Sequence, residues 1–444
     1  MIRNEPECPL QEEGARQRKP LTVNPIQVSP SLGAVLAMQG FYRGIPILHG
    51  AEGCAESIKT MLMNHFREPI TLQGIAMHEY NHVFGSGDSI QEAFDLAITH
   101  HKPDVIGLIG TTLTDMVGED LQRNLQSLRK VNQAYLRNRI VFQVQASDEE
   151  GWMETGYAQV TEAVIDGIIE LNKQIVRKKQ RNRINLLPGP HLTPGDVIEL
   201  KEIIASFDLE VLTLPDLSLS LPGHLLMGHS ALTRGGTPIE HLKEVPSSGF
   251  TIAIGSCMEN AARRMETAFR IPYQVFPGVT GLKATDDFFS FLQSYGRGAA
   301  PPLKYRWQRE FLLDGMLDAC SVYRDKKVVG ALEPDHAAVM QGWLKEMGVS
   351  SFCCVVPDHS RNLNPSGSLQ MGDLEELDRI AADGADLWLS SSRGEWWAKN
   401  RGIPFYPIGF PVLRRLGYPL TSNVGYKGTL DLIHRIGNRL LMER

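Results

Sequence analysis

The chain has 444 residues, 42% of them hydrophobic, and its 45 basic and 51 acidic residues leave a net charge of -6. This length predicts several domains, and so small a net charge gives no field that would attract nucleic acid or an anionic membrane. No apolar run reaches the roughly 20 residues that span a bilayer, and residues 1–20 lack the apolar core of a signal peptide. We therefore expect a cytoplasmic protein with no nucleic-acid partner and no membrane partner.

Short apolar runs alternate with amphipathic stretches after a polar N-terminal leader, residues 1–24. This alternation is typical of βα units and parallel sheets. The clearest predicted strands are Asp104–Thr112, Arg139–Gln145, Ile184–Leu187, Leu209–Leu214, Gly249–Gly255, Lys327–Leu332, Ser350–Val356 and Asp386–Ser390.

These strands fall into three groups, which predicts an α/β protein with three doubly wound, Rossmann-like domains and mostly parallel sheets. We place the domains at residues 25–178, 184–295 and 325–444, with a helical connector at 296–324. The basic run Arg177–Arg183 between the first two domains is interpreted as a solvated linker. Ligands of such folds bind beyond the carboxyl ends of the strands.

Several strand ends run into small, polar turns: Gly110–Thr112, Gly255–Cys257 and Ser390–Gly394. Such turns suit tight strand-to-helix packing as well as backbone approach to a ligand. The sequence has no GxGxxG motif opening a helix after a strand and no GxxxxGK[ST] motif, so nothing indicates a nucleotide. No nucleophile, base or metal triad stands at a defined spacing.

The six cysteines show no CxxC spacing, which favours a reducing compartment and argues against a disulfide framework or a self-contained metal site. They are Cys8, Cys54, Cys257, Cys320, Cys353 and Cys354. Cys353 and Cys354 are adjacent on a predicted strand, so their side chains point to opposite faces and core packing is favoured. For Cys257, at a strand end, packing and a transient cofactor contact both stay open.

Cys54 is the most informative of the six. It lies in a glycine-rich turn between an apolar run and a helical pattern, where a helix N-terminus favours a thiolate. One thiolate cannot hold a metal cluster, so Cys54 is either a buried structural thiol or one ligand of a site that another subunit completes. His49, His65, His78 and His82 lie nearby, and His49 is interpreted as a turn-stabilising residue or a support for a ligand rather than as a ligand itself.

Several separate motifs resemble, in order and spacing, the β-type subunits of the nitrogenase superfamily. They are PIQVSPSLGAVL at 25–36, HGAEGC at 49–54, NHFREP at 64–69 and GTTLTDMVGEDL at 110–121. Four further motifs are similar to those of the β-type subunit of the scaffold complex for nitrogenase iron-molybdenum cofactor biosynthesis: LTPGD at 192–196, LPDLSLS at 214–220, PGH at 222–224 and TRGG at 233–236.

The resemblance assigns a metal ligand to one residue. Three cysteines of the catalytic β subunit ligate the P-cluster, and the matching positions here carry Ser29, Cys54 and Leu113. A leucine offers no ligand atom, so a P-cluster is not expected. In the scaffold complex a 4Fe-4S cluster lies between two unlike subunits, and the resemblance implies that Cys54 supplies its fourth thiolate.

The resemblance also implies the partners. A NifE-like α-type subunit supplies three cysteines and holds most of the iron-molybdenum cofactor precursor, in an α2β2 heterotetramer, and the nitrogenase iron protein docks transiently. The chain itself is then an assembly scaffold subunit and not an enzyme.

Three alternatives stay open. One is a redox enzyme subunit of the same superfamily, either a nitrogenase β subunit or a chlorophyllide-type reductase subunit. A second is the equivalent scaffold subunit of a vanadium system. The third is a simple α/β binding protein in which Cys54 is structural.

Overall fold

The computed structural model describes residues 22, 25–77, 85–175, 177–222, 230–296, 298, 300–357 and 369–442. Within these residues, thirteen strands form two sheets of four strands and one of five, and all the pairings are parallel. The predicted α/β class with mostly parallel sheets is therefore confirmed. The chain divides into two compact units, residues 28–276 and residues 277–444 together with those before 28. The limits of the three predicted domains stay a prediction.

Sheet one lies in the first unit and has the strand order β2-β1-β3-β4. Its strands are β1 Gly44–Gly50, β2 Gln73–Ala76, β3 Val105–Gly110 and β4 Ile140–Gln145. All residues of β1 and β3 are buried, as expected for central parallel strands that are covered on both faces.

Sheet two lies in the same unit and has the strand order β6-β5-β7-β8. Its strands are β5 Gln180–Pro188, β6 Glu210–Thr213, β7 Ser248–Ile254 and β8 Tyr273–Phe276. The described α-helices of this unit are α1 Pro30–Gln39, α2 Cys54–Phe66, α3 Gly87–Leu96, α4 Thr112–Met116, α5 Leu121–Val131, α6 Gln133–Leu136, α7 Met153–Asn172, α8 Pro194–Ala205, α9 Ile239–Glu244 and α10 Glu259–Phe269. A π-helical turn, Ala97–His101, and 3-10 turns at Leu217–Leu219, Val245–Ser247 and Ser256–Met258 complete it.

Helices α1 and α7 are in backbone contact because each has a glycine at the contact. A β-carbon at Gly33 would lie 1.9 Å from the carbonyl oxygen of Met153, and one at Gly156 would lie 1.9 Å from that of Pro30. No larger residue fits at either position without moving a helix. The two glycines thus fix the start of α1 against the start of α7.

The second unit contains sheet three, with the strand order β11-β10-β9-β12-β13. Its strands are β9 Lys327–Ala331, β10 Ser351–Val356, β11 Leu369–Met371, β12 Leu387–Ser390 and β13 Phe405–Pro407. The described α-helices are α11 Leu282–Tyr295, α12 Leu303–Tyr323, α13 Pro334–Glu346, α14 Leu374–Ala381, α15 Glu395–Arg401 and α16 Gly425–Met442, with 3-10 turns at Ser392–Gly394 and Tyr418–Leu420. Helix α12 lies within the helical connector predicted at residues 296–324.

All eight predicted strands are present, but the linker prediction for Arg177–Arg183 is wrong from Gln180 onward, because strand β5 begins there. The charge of Arg183 is compatible with a strand because its guanidinium pairs with Glu210 at 2.9 Å and with Glu244 at 3.2 Å. Among the described helices, none is both long enough and apolar enough to cross a membrane.

Candidate metal centre

Cys54 is the first residue of α2 and directly follows the turn that leaves strand β1. The turn closes with a hydrogen bond from the Cys54 backbone N–H to the Ala51 carbonyl oxygen at 3.2 Å. Gly53 has φ +87, a left-handed conformation that favours glycine, and a β-carbon there would have no atom within 4 Å. Ala51, Glu52 and Gly53 are exposed and Cys54 is half-buried. The thiol therefore lies beside open space rather than in the core.

Leu113 lies at the same edge of sheet one as Cys54. In the register of β1 and β3, His49 pairs with Gly110, so both chains leave the sheet side by side. The backbone N–H and the hydroxyl of Thr111 both donate to the His49 carbonyl oxygen at 3.2 Å. Leu113 follows in α4 and is half-buried.

Ser29 reaches this edge through the start of α1. Its hydroxyl caps that helix by accepting from the Ser31 N–H at 3.3 Å. The Ser31 hydroxyl in turn donates to the carbonyl oxygen of Ala146, which directly follows β4, at 2.9 Å. Since β1, β3 and β4 are neighbours in a parallel sheet, the positions of Ser29, Cys54 and Leu113 share one carboxyl edge.

The donor atoms at this edge fit one ligand of a shared cluster and do not fit a P-cluster. Cys54 offers a half-exposed sulfur, the Ser29 hydroxyl is used as a helix cap, and Leu113 has no donor atom. Three thiolates from one chain would be needed for the larger cluster, and these three positions supply one. The assignment of Cys54 as a ligand remains a prediction.

His49 lies in strand β1 rather than in the turn, so of its two interpretations the turn-stabilising one is wrong, and support for a ligand stays a prediction. The side chain is fully buried, and its ring Nδ1 lies 3.3 Å from the Ile75 carbonyl oxygen. Burial lowers the pKa of His49, against smaller opposing effects of the Ile75 carbonyl and Glu119. The ring is therefore neutral near pH 7, and its Nε2 has no hydrogen-bond partner among the described residues.

Cys257 lies in the 3-10 turn that directly follows β7, at the carboxyl edge of sheet two. Cys257 is half-buried. Its neighbour Tyr157, in α7, is fully buried, and no motif in the sequence indicated that the two residues lie together. Burial raises the pKa of Tyr157 well above its usual value, and the charges of Cys257 and Asp216 act in the same direction. On an apolar helix face a tyrosine is typical of a core residue, so the sequence alone gave no sign of this pairing.

Cys353 and Cys354 are both buried in strand β10, as the strand alternation predicted. Burial raises the pKa of the Cys354 thiol far above its usual value, so this thiol stays protonated and is a poor metal ligand. His65 is buried at the end of α2, with its ring edge-on to Phe66. His78, His82, Cys8 and nearly all of the N-terminal leader lie outside the described residues.

The motifs at 192–196, 214–220 and 233–236 contribute packing inside the first unit. Thr193 and Asp196 form a reciprocal cap at the start of α8, with hydrogen bonds of 2.9 and 3.0 Å. The Asp216 backbone N–H donates to the Gly40 carbonyl oxygen at 3.0 Å, and the Thr233 N–H donates to that of Gly44 at 3.1 Å. These motifs join the end of α1 and the start of β1 to sheet two.

The three parallel sheets and the comparisons with known proteins place this chain in the nitrogenase component 1 class. Residues 29–441 match the family described as "Nitrogenase component 1 type Oxidoreductase", and the chain belongs to this family. The solved structure "Nitrogenase Cp1 at pH 6.5" superposes with a TM-score of 0.88 at 26% sequence identity, covering 96% of this chain and 94% of that chain.

Two relatives carry the same printed name, "Nitrogenase iron-molybdenum cofactor biosynthesis protein NifN". The protein of Rippkaea orientalis is 36% identical over 441 residues, covering 96% of this chain and 95% of its own. The protein of Nostoc sp. is 36% identical over 422 residues, covering 95% of this chain and 93% of its own. The resemblance found in the motifs is therefore confirmed along nearly the full length of the chain.

Proposed function

We propose that this chain is the β-type subunit of a NifN-like scaffold complex on which the nitrogenase iron-molybdenum cofactor is matured from an iron-sulfur precursor. Its role is to bind and position, and not to turn over a substrate. The observation that carries the proposal is the donor set at the carboxyl edge of sheet one, where Cys54 has a sulfur and the positions of Ser29 and Leu113 have none. The printed name of the relatives supports the cofactor-assembly pathway.

Cys54 ligates one iron of a 4Fe-4S cluster that a NifE-like α-type subunit completes with three cysteines. When bound, such a cluster supplies electron transfer and takes four thiolate ligands. The short turn from β1 and the start of α2 hold the Cys54 sulfur at the surface, next to the exposed Gly53. The open space beside Gly53 leaves room for a partner chain to approach.

The surface beside this site supports contact with a partner. Met116, which ends α4 three residues after Leu113, is 78% exposed, and the adjacent Val117 is also exposed. Contiguous exposed apolar side chains are typical of protein–protein interfaces. The α-type subunit would cover these residues together with Cys54 and would hold most of the cofactor precursor.

An α2β2 assembly needs a further contact between subunits, and α12 has a suitable face. Its residues Leu303, Trp307, Phe311 and Leu317 are exposed large apolar side chains that fall within one arc of the helix. We propose that a second copy of the heterodimer packs on this face. The nitrogenase iron protein would dock transiently near the shared cluster, in the cytoplasm.

Two alternatives make different predictions. A redox enzyme subunit, of the nitrogenase β or chlorophyllide-type reductase kind, predicts a complex that reduces a substrate when it receives electrons. A vanadium-system scaffold predicts the same iron content as the molybdenum scaffold but accumulates vanadium on the precursor. Metal analysis of the loaded complex separates the two scaffolds.

Anaerobic co-expression with a candidate α-type subunit tests the proposal. Purification through a tag on this chain should yield a brown complex of the two chains, with about four iron atoms per heterodimer and the electron paramagnetic resonance signal of a reduced 4Fe-4S cluster. Colourless, iron-free protein that does not retain the partner would contradict the proposal. Substrate turnover by the purified complex would favour the enzyme alternative.

A further inference from the structure

The second unit contains a basic cavity that the proposed function does not use. It has a volume of about 520 Å³ and lies beside the edge strand β13, lined by residues that precede this strand, by the strand itself and by the loop after it. Lys399, Arg414, Arg415 and Arg439 line it, with Glu395 as the one acidic residue among its lining residues.

Three of the four cations are not neutralised by an ion pair within the part of the chain that the structure describes. Among the residues that the structure describes, no ion pair joins Lys399, Arg414 or Arg415 to a carboxylate. Arg415 lies over the ring of Tyr406, with its guanidinium carbon 5.4 Å from the ring centroid. Like charges held close together raise the free energy of the folded state unless an anion neutralises them.

Two of the cations, Arg415 and Arg439, act on Tyr406 of β13. Burial raises the pKa of the Tyr406 phenol, and the charges of Arg435, Arg415 and Arg439 oppose this shift, with Arg415 in the loop after β13 and Arg439 in α16. Their positive fields therefore overlap next to β13.

The loop that carries Arg414 and Arg415 is held in place. The Leu413 backbone N–H donates to the Ser392 hydroxyl at 2.7 Å, and the Ser392 N–H donates to the Pro411 carbonyl oxygen at 2.9 Å. Arg414 itself has φ +57, a conformation that costs an arginine about 1 kcal/mol. The two hydrogen bonds hold the loop that carries Arg414 and Arg415 beside the cavity.

Part of the cavity lining is apolar. Ile403, Phe405 and Pro407 form this part, and Ile403 and Pro407 are buried. A volume of this size matches small-molecule sites, which combine apolar walls with a few placed polar groups. We propose that this cavity binds a small organic anion with at least two negative charges, either a polycarboxylate or an organic phosphate.

The test measures binding of two anions to the purified complex of the full chain by isothermal titration calorimetry at low salt. Citrate represents the polycarboxylates and pyrophosphate represents the phosphates, with acetate as a monovalent reference. We expect saturable binding of citrate, pyrophosphate or both, weaker at higher salt, and none of acetate. Whichever of the two binds more tightly identifies the class of the ligand.

Two variants locate the binding. Lys399→Gln/Arg414→Asn removes two rim charges, and asparagine tolerates the left-handed conformation at position 414. We expect binding at least about tenfold weaker. The matched control Lys283→Gln/Lys427→Gln removes two exposed lysines of the same unit, each paired four residues along its own helix, and should leave binding unchanged.

A third variant is expected to strengthen anion binding rather than weaken it. Glu395→Gln removes the acidic residue of the cavity and should tighten binding of the same anion. The proposal is overturned if neither citrate nor pyrophosphate saturates the wild-type protein. An equal loss in the lysine control, or no change in Glu395→Gln, would overturn it as well.

Discussion

Replacing Cys54 with serine removes the sulfur that the proposed cluster takes from this chain. The structure indicates that the fold tolerates the change, because Cys54 is half-buried and begins a helix, where serine is well accommodated. We expect the free energy of unfolding to change by less than about 0.5 kcal/mol. One of four thiolates is lost, so iron should fall from about four atoms per heterodimer to a small fraction of that value, with loss or change of the cluster signal.

The assay is iron analysis and electron paramagnetic resonance of the anaerobically purified complex, alongside circular dichroism to verify folding. Cys320→Ser is the matched control, since Cys320 is an exposed cysteine of α12, in the second unit. The control should keep both iron and signal. Full iron content and an unchanged signal in Cys54→Ser would refute the assignment of Cys54 as a cluster ligand. Cys54 would then have only a structural role.

Three further changes test the fold, an ionisation and the assembly. Gly156→Ala should destabilise the chain by about 3 kcal/mol in urea unfolding, because the new β-carbon meets a carbonyl oxygen at 1.9 Å. Burial raises the pKa of Glu333 to about 8, with Arg393 opposing and Asp335 reinforcing the shift, so wild-type stability should fall between pH 5 and pH 8. Glu333→Gln should lack this fall, which is on the order of 3 kcal/mol. Trp307→Ala/Phe311→Ala, on the exposed face of α12, should shift the complex towards heterodimers in analytical ultracentrifugation.

Each of these changes has a matched control. Gly342→Ala, in α13, meets no atom within 4 Å and should stabilise slightly, so equal destabilisation by both glycine variants would contradict the packing argument. Glu395→Gln changes an exposed carboxyl and should leave the slope between pH 5 and pH 8 as in wild type. Trp396→Ala removes another exposed tryptophan, and loss of the tetramer with this variant but not with the α12 variant would refute the assignment of the face.

The sequence predicted eight of the thirteen described strands, because their apolar runs are continuous. The central strand β1, whose apolar run contains Pro46, and the short strand β8 were not among them. Each of the eight predicted strands overlaps an observed one, and the helices between them were expected from the alternating pattern. The short edge strands β2, β11 and β13 were missed because three or four residues carry too weak a pattern. The start of β5 was missed because Arg183 is charged, and its ion pairs with Glu210 and Glu244 cannot be foreseen from the sequence.

The sequence likewise predicted some features of the candidate site and missed others. The family motifs identified Cys54, Ser29 and Leu113, and the structure adds that these positions share one sheet edge. No pattern in the sequence indicated that His49 lies in a strand with its ring fully buried, since a histidine before a glycine turn suits either place. The basic cavity was missed because Lys399 and Arg439 are far apart in the chain and meet only in the fold.

The most direct test of the central claim is anomalous diffraction at the iron edge from anaerobic crystals of the complex with the α-type subunit. The account predicts an iron peak within bonding distance of the Cys54 sulfur, at a contact between the two chains, with the remaining ligands from the partner. A cluster ligated wholly by the partner, with the Cys54 sulfur away from any iron, would contradict it.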